Sequence, residues 1–154
     1  MRKLLLCFMA FMLVATGALA QTADVAGAYA ITLPDDLKAV ELTEENTADG
    51  LVLDMESDAL HAVAYLYEPD PTYTQTLDEM YENYLADQQE GFYTNVAIEV
   101  IGGERMIVYD IDAGTMGAII IAADGKTYEF IMICEQDSAQ DAAKAAIESI
   151  TALK

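Results

Sequence analysis

Pairs of acidic side chains are the residues in this sequence whose types and spacing best suit acid–base chemistry. Asp54 and Glu56 form one pair, and Asp110 and Asp112 form another. On a strand, such residues share a face at a separation of about 7 Å, a spacing that glycosidase carboxyl pairs also use. Because the chain has 27 acidic residues, pairs of this kind arise by chance. We therefore favour solvated faces and keep a carboxylate-based, for example glycoside-active, hydrolase as an alternative function.

The residues needed for nucleophilic or zinc chemistry are scarce. His61 is the only histidine, no Gly-x-Ser-x-Gly motif is present, and residues 21–154 contain one cysteine, Cys134. A catalytic triad needs a base beside its nucleophile, and a zinc site needs several His or Cys ligands. We interpret His61 as a surface residue at the start of a strand and Cys134 as a small buried hydrophobe.

Two short acidic stretches are weak calcium candidates. Asp110 and Asp112, with Gly114 two residues later, resemble the first half of an EF-hand loop, but the third ligand and the closing glutamate are missing. Glu68 and Asp70 form a second group of carboxylate oxygens. We expect at most millimolar calcium affinity, and the sequence predicts no other metal or cofactor.

Tyrosines are concentrated in the middle of the chain, around a predicted helix and its flanking strands. Tyrosine suits recognition surfaces because its side chain offers a large area and a hydroxyl at little entropy cost. The predicted binding patch consists of Tyr67, Glu68, Asp70 and Tyr73. For Tyr67 and Tyr73, packing within the fold is an equally good interpretation.

The N-terminus has the pattern of a secretory signal. Two basic residues precede an apolar stretch over 4–14, and Ala-Leu-Ala over 18–20 is typical of a signal-peptidase site. We predict a cleaved signal peptide over 1–20, a flexible leader over 21–28 and a single domain over 29–154. The predicted location is secreted or extracytoplasmic.

Charge limits the partners of the exported chain. The whole chain carries a net charge of −20, and removal of residues 1–20 takes away two basic residues and no acidic ones, which gives −22. Such a surface repels nucleic acids and anionic membranes. No second apolar run predicts a membrane span, so we expect an unknown protein or small-molecule partner.

A β-rich region over 93–134 must position these side chains. Three glycine-containing turns separate the segments NVAIEVI, RMIVYDI, MGAIIIAA and YEFIMIC, which we predict to be four consecutive antiparallel strands. In MGAIIIAA neither face is charged, and in YEFIMIC only Glu129 interrupts the apolar run. Strands that are apolar on both faces are covered on both faces.

Two amphipathic helices are available to cover that sheet. Thr76 with Glu79 is a capping-box pattern, and Gly91 is a plausible end for the first helix. A second helix is predicted from Ser138 to the C-terminus. Its apolar stripe is rich in alanine, and that of the first helix is Leu77, Met80, Tyr81, Tyr84 and Leu85.

The order of elements resembles the PsbP-like, Mog-type α/β/α sandwich, which is named for a photosystem II subunit and a Ran-binding protein and includes many small exported bacterial proteins. The matching features are YAITLP at 29–34, LDEMYENYL at 77–85, G-K-x-Y at 125–128 and A-x-x-S-I-x-x-L at 146–153. The resemblance implies an α+β fold with a central antiparallel sheet flanked by helices. It implies no photosystem or Ran-binding role.

No catalytic constellation accompanies this predicted fold. The sequence therefore favours a non-enzymatic binding or accessory module of unknown ligand. The alternatives are the carboxylate-based hydrolase and a subunit of a larger extracytoplasmic assembly.

Overall fold

The computed structural model describes residues 20–72 and 74–154. Strand accounts for 46% of them and helix for 23%. In chain order the elements are β1 (Ala20–Val25), β2 (Tyr29–Pro34), β3 (Lys38–Ala39), α1 (Glu44–Ala48), β4 (Leu51–Glu56), β5 (Leu60–Tyr67), α2 (Leu77–Glu90), β6 (Thr94–Ile101), β7 (Glu104–Asp112), β8 (Thr115–Ile121), β9 (Thr127–Cys134), a 3-10 turn (Asp137–Ala139), α3 (Gln140–Glu148) and β10 (Thr151–Ala152).

Two antiparallel sheets form the fold. A seven-stranded sheet has the order β3-β4-β5-β9-β8-β7-β6, and a three-stranded sheet has the order β1-β2-β10. The predicted meander is confirmed, since β6 to β9 pair consecutively as antiparallel hairpins. Between β6 and β7, Gly102 and Gly103 have φ of +60° and +91°, the left-handed region in which glycine is favoured.

The predicted helix-flanked α/β/α sandwich is wrong. The protein is mostly β, and the described residues contain only three short α-helices. On one face of the large sheet, β2 and α3 pack side by side, so a small sheet takes much of the area assigned to a helix. The scarcity of charged residues in β8 and β9 indicates that both faces of the sheet are covered. It does not distinguish a cover made of helices from a cover made of strands.

Residues 21–28 illustrate why the small sheet was missed. They were predicted to be a flexible leader, but the structure places 20–25 in β1, where Val25 is fully buried. The inward positions Gln21 and Ala23 are small or polar, so their alternation carries little hydrophobic signal. Gln21 Nε2 donates to the backbone oxygens of Pro34 (3.0 Å) and Leu37 (2.8 Å), which fixes the start of β1. The predicted signal peptide lies outside the described residues except for Ala20.

The helix predictions are confirmed in part. The capping box of Thr76 and Glu79 is present, and α2 ends at Gly91 with φ +87°, so both signals are confirmed. The second helix is shorter than predicted. It ends at Glu148, and Thr151–Ala152 then pairs with β2. Within the described residues, no helix combines the length and apolar character needed to cross a bilayer.

The large sheet has two different faces. The face that packs against the small sheet and α3 is called the covered face, and its core includes Phe130, Met132, Met106 and Ile120, each at 0% exposure. The opposite face is called the tyrosine face. There α2 packs against β6 and β7 through its predicted apolar stripe, over Val96, Ile107, Tyr109 and Ile119.

Candidate functional site

Glu129 lies on the tyrosine face, at the centre of the large sheet. Residue alternation along β9 buries Tyr128 and Phe130 on the covered face and turns Glu129 to the other side. Its direct neighbours across the ladder are Tyr65 on β5 and Ile119 on β8. A half-buried carboxylate at this position needs hydrogen-bond donors, because burial removes part of its hydration.

The first donor reaches Glu129 from two strands away. Tyr109 on β7 is opposite Gly117 on β8, and its hydroxyl donates to Glu129 Oε1 at 2.5 Å. A Cβ atom at Gly117 would overlap Tyr109 Cζ and Oη. The absent side chain therefore allows the Tyr109 ring to cross β8 and reach β9. Burial, reinforced by the charge of Glu129, raises the pKa of Tyr109, so its hydroxyl remains a donor at neutral pH.

The second donor is Tyr67 at the end of β5. Its hydroxyl donates to Glu129 Oε2 at 3.3 Å, so each carboxylate oxygen accepts one phenol. Burial and the adjacent Glu129 charge raise the pKa of Tyr67 to about 12. Each oxygen has a further lone pair that is available to a ligand donor.

Tyr65 and Tyr67 present a pair of parallel rings beside this carboxylate. Their planes differ by 5° and their centroids are 6.1 Å apart. Tyr67 is 42% exposed and Tyr65 is half-buried. Aromatic surface of this kind, next to a fixed polar group, is typical of ligand-binding sites.

Tyrosines at the contact between α2 and the sheet have a different role. Tyr84 stacks on Tyr93 with a centroid distance of 4.6 Å, and both lie 5.1 Å from Tyr109. Burial, and to a smaller extent the charge of Glu129, raises the pKa of Tyr84 as well. These rings pack on one another, so they hold Tyr109 in place and leave the Tyr65 and Tyr67 side as the open part of the face.

A histidine–aspartate pair lies at the other end of β5. His61 Nε2 is 2.8 Å from Asp54 Oδ1, and Asp54 is only 12% exposed. A cavity of about 200 Å³ adjoins the pair, and its lining includes Tyr65 and Asn46. The described residues that line this cavity include no serine, threonine or cysteine to act as a nucleophile. The pair adds a hydrogen-bonded imidazole and carboxylate to the tyrosine face, in a cavity that Tyr65 also lines.

The predicted binding patch is divided by the structure. Tyr67 faces Glu129, whereas Glu68 pairs with Lys126 at 3.3 Å. Asp70 accepts from the backbone N and the Oγ1 of Thr72 at 2.7 and 2.6 Å, which shapes the loop. Glu68 and Asp70 share the lining of a separate cavity of about 190 Å³. Tyr73 lies outside the described residues.

The calcium candidates make other contacts. Asp110 accepts from Asn95 Nδ2 at 2.7 Å, and Asp112 accepts from the Gly114 backbone N at 2.8 Å. Within residues 20–72 and 74–154, no group of three or more His, Cys, Asp or Glu side chains is arranged to hold a metal ion.

No family model matches this chain, and no curated protein matches it significantly. The resemblance to the PsbP-like group therefore stays a prediction.

Sequence reasoning did not identify the centre of the site, although two signals were available. Glu129 was noted only as the one charge in an apolar strand, and an isolated charge of that kind requires donors from neighbouring strands. Gly117 is a glycine inside a strand, which often marks a place where another group approaches closely. The Tyr109 ring explains both signals, because it crosses β8 at Gly117 and donates its hydroxyl to Glu129.

Proposed function

We propose that the protein is an extracytoplasmic, non-enzymatic binding module that holds a neutral carbohydrate on Tyr65, Tyr67 and Glu129. The observation that carries the proposal is the pair of parallel, partly exposed rings beside a carboxylate held by two phenols. The extracytoplasmic location is supported by the secretory pattern of residues 1–20.

A sugar ring matches the chemistry of this surface. Its C–H face is apolar and packs against an aromatic ring, and its hydroxyls donate to carboxylate oxygens. Glu129 is preorganised, because Tyr67 and Tyr109 fix both of its oxygens before any ligand arrives. Preorganisation lowers the ordering cost of binding.

Charge favours a neutral ligand over an anionic one. The net charge of −22 for residues 21–154 and the carboxylate at the centre of the surface repel uronic acids and sulfated sugars. The site therefore suits plain hexose or pentose polymers. Next to Tyr67, Glu68 directly follows β5 and pairs with Lys126, which directly precedes β9.

Affinity electrophoresis in gels that contain neutral soluble polysaccharides tests the proposal, with NMR titration of oligosaccharides for any hit. Tyr67→Ala and Tyr65→Ala are each expected to weaken binding at least about fivefold, the effect of an interface residue worth 1 kcal/mol. Phe92→Ala is the matched control, because Phe92 is 60% exposed and lies outside the site.

Three results overturn the proposal. One is the absence of binding to any neutral polysaccharide by folded protein. Another is equal loss of binding in Phe92→Ala and in the tyrosine variants. The third is release of reducing ends from the bound polysaccharide, which would assign a hydrolase instead.

A further inference from the structure

A groove on the covered face contains groups that the proposed carbohydrate site does not use. It lies between α3 and strands β6 to β8 and has a volume of about 340 Å³. That volume is within the range of small-molecule sites. Val108 and Met116, both half-buried, lie in it with Ile147 of α3, so its floor is apolar and partly open.

Carboxylates lie at two separate ends of this floor. Glu99 on β6 is directly opposite Met106 on β7. Asp110, also on β7, is four residues farther along, a distance of about 13 Å at strand spacing. Val108 lies midway along β7 between Met106, which is opposite Glu99, and Asp110. The two acidic groups are therefore separated by an apolar stretch.

The α3 side of the groove carries charges of both signs. Glu148 and Lys144 on α3 line the groove, and Lys144 Nζ is 3.9 Å from Glu148 Oε1 in an exposed i,i+4 pair. Such an exposed pair contributes little to stability. Three carboxylates and one ammonium leave the lining with a net charge of −2, which favours a cation.

We propose that this groove binds a linear aliphatic diamine or polyamine. One ammonium group pairs with Glu99, a second pairs with Asp110, and the methylene chain between them covers Val108 and Met116. Asn95 donates to Asp110 at 2.7 Å and fixes that carboxylate. Lys144 is the cation that the ligand displaces from the groove, so Lys144 opposes binding.

NMR titration of the protein at physiological salt, with amide shifts of β6 to β8 and α3 as the signal, tests the proposal. The probes are diaminohexane, hexylamine and hexanol. We expect diaminohexane to bind about two- to fivefold more tightly than hexylamine, the effect of one further exposed ion pair, and hexanol to bind most weakly. Affinity across diaminobutane, diaminohexane and diaminooctane is expected to pass through an optimum, because the two acidic ends have a fixed separation.

Charge variants give the direction of each contribution. Glu99→Gln and Asp110→Asn should each reduce diaminohexane affinity to that of hexylamine, while Lys144→Met should increase it. The matched controls are Glu82→Gln on the exposed side of α2 and Lys38→Met on β3, both on exposed residues outside the groove, and neither should change the affinity.

Three outcomes overturn the proposal. If Glu82→Gln weakens binding as much as Glu99→Gln, the attraction is diffuse and no groove site exists. If Lys144→Met weakens diaminohexane binding, Lys144 does not compete with the ligand and the charge arrangement proposed for the groove is wrong. If affinity does not depend on chain length, the two ends do not act together.

Discussion

The two faces of the large sheet belong to the same strands but are built differently. On the covered face, Phe130 and Met132 are fully buried among apolar and aromatic side chains under the small sheet and α3. On the tyrosine face, Glu129, which directly precedes Phe130 in sequence, accepts hydrogen bonds from two phenols. Alternate residues of β9 thus supply the core and the candidate site.

The difference shows where changes of side chain are tolerated. The covered face is held by shape and apolar area, so loss of volume is its main vulnerability. The tyrosine face depends on a hydrogen-bonded arrangement whose outer residues are partly exposed. We therefore expect core variants to affect stability and variants of the exposed tyrosines to affect binding. Variants of the tyrosines at the contact between α2 and the sheet should affect both.

Phe130→Ala should give the largest loss of stability. Phe130 is fully buried, and removal of a buried phenylalanine ring costs about 3–5 kcal/mol. Urea denaturation of the wild type and the variant measures the change. Ile131→Ala is the neighbouring control, because Ile131 is half-buried on the other face. A loss as small for Phe130→Ala as for the control would contradict the assignment of the two faces.

Gly117→Ala tests the crossing of Tyr109 over β8. The added Cβ atom overlaps the Tyr109 ring, and we expect a loss of about 1–3 kcal/mol, as for other overpacking changes. In a Tyr109→Ala background the overlap is gone, and the same substitution should be neutral or slightly stabilising, since alanine is favoured over glycine in a strand. A double-mutant cycle by urea denaturation measures the coupling. Equal costs in both backgrounds would show that Gly117 is not needed for the ring.

The sequence predicted the parts of the fold whose signals are local. The meander over 93–134, the capping box at Thr76 and the left-handed Gly91 are each encoded by a few adjacent residues. The small sheet and the Glu129 site are not. β10 joins the small sheet with Thr151 opposite Ala30 on β2, and Glu129 accepts from donors on β5 and β7, so both depend on contacts between segments that are distant in sequence.

Alkaline pH should lower the stability of the protein through its buried tyrosines. The pKa of Tyr109 is raised by burial and that of Tyr67 is raised to about 12, whereas phenols in the unfolded chain ionise near pH 10. Above pH 10 the unfolded state therefore loses protons that the folded state keeps, and the free energy of unfolding falls as pH rises. Urea denaturation from pH 8 to 12 measures this slope.

One tyrosine variant and one phenylalanine control isolate the contribution of Tyr109 to that slope. Tyr109→Phe should flatten the decline between pH 10 and 12 by at most about 1.4 kcal/mol per pH unit, the effect of one proton. Phe92→Ala should leave it unchanged, since that residue does not titrate. An equal slope in wild type and Tyr109→Phe would show that Tyr109 ionises normally in the folded protein.

Tyr67→Phe should have the smallest effect on stability and a clear effect on binding. The lost hydrogen bond is long, at 3.3 Å, and partly solvated, so we expect a cost below about 1 kcal/mol by thermal or urea denaturation. The ring remains to stack on a sugar, but Glu129 Oε2 loses its donor and is no longer fixed. Carbohydrate affinity should therefore fall less in Tyr67→Phe than in Tyr67→Ala. If the two variants bind equally well, the ring contributes nothing to binding, and the contrast between a core face and a binding face fails at its outermost residue.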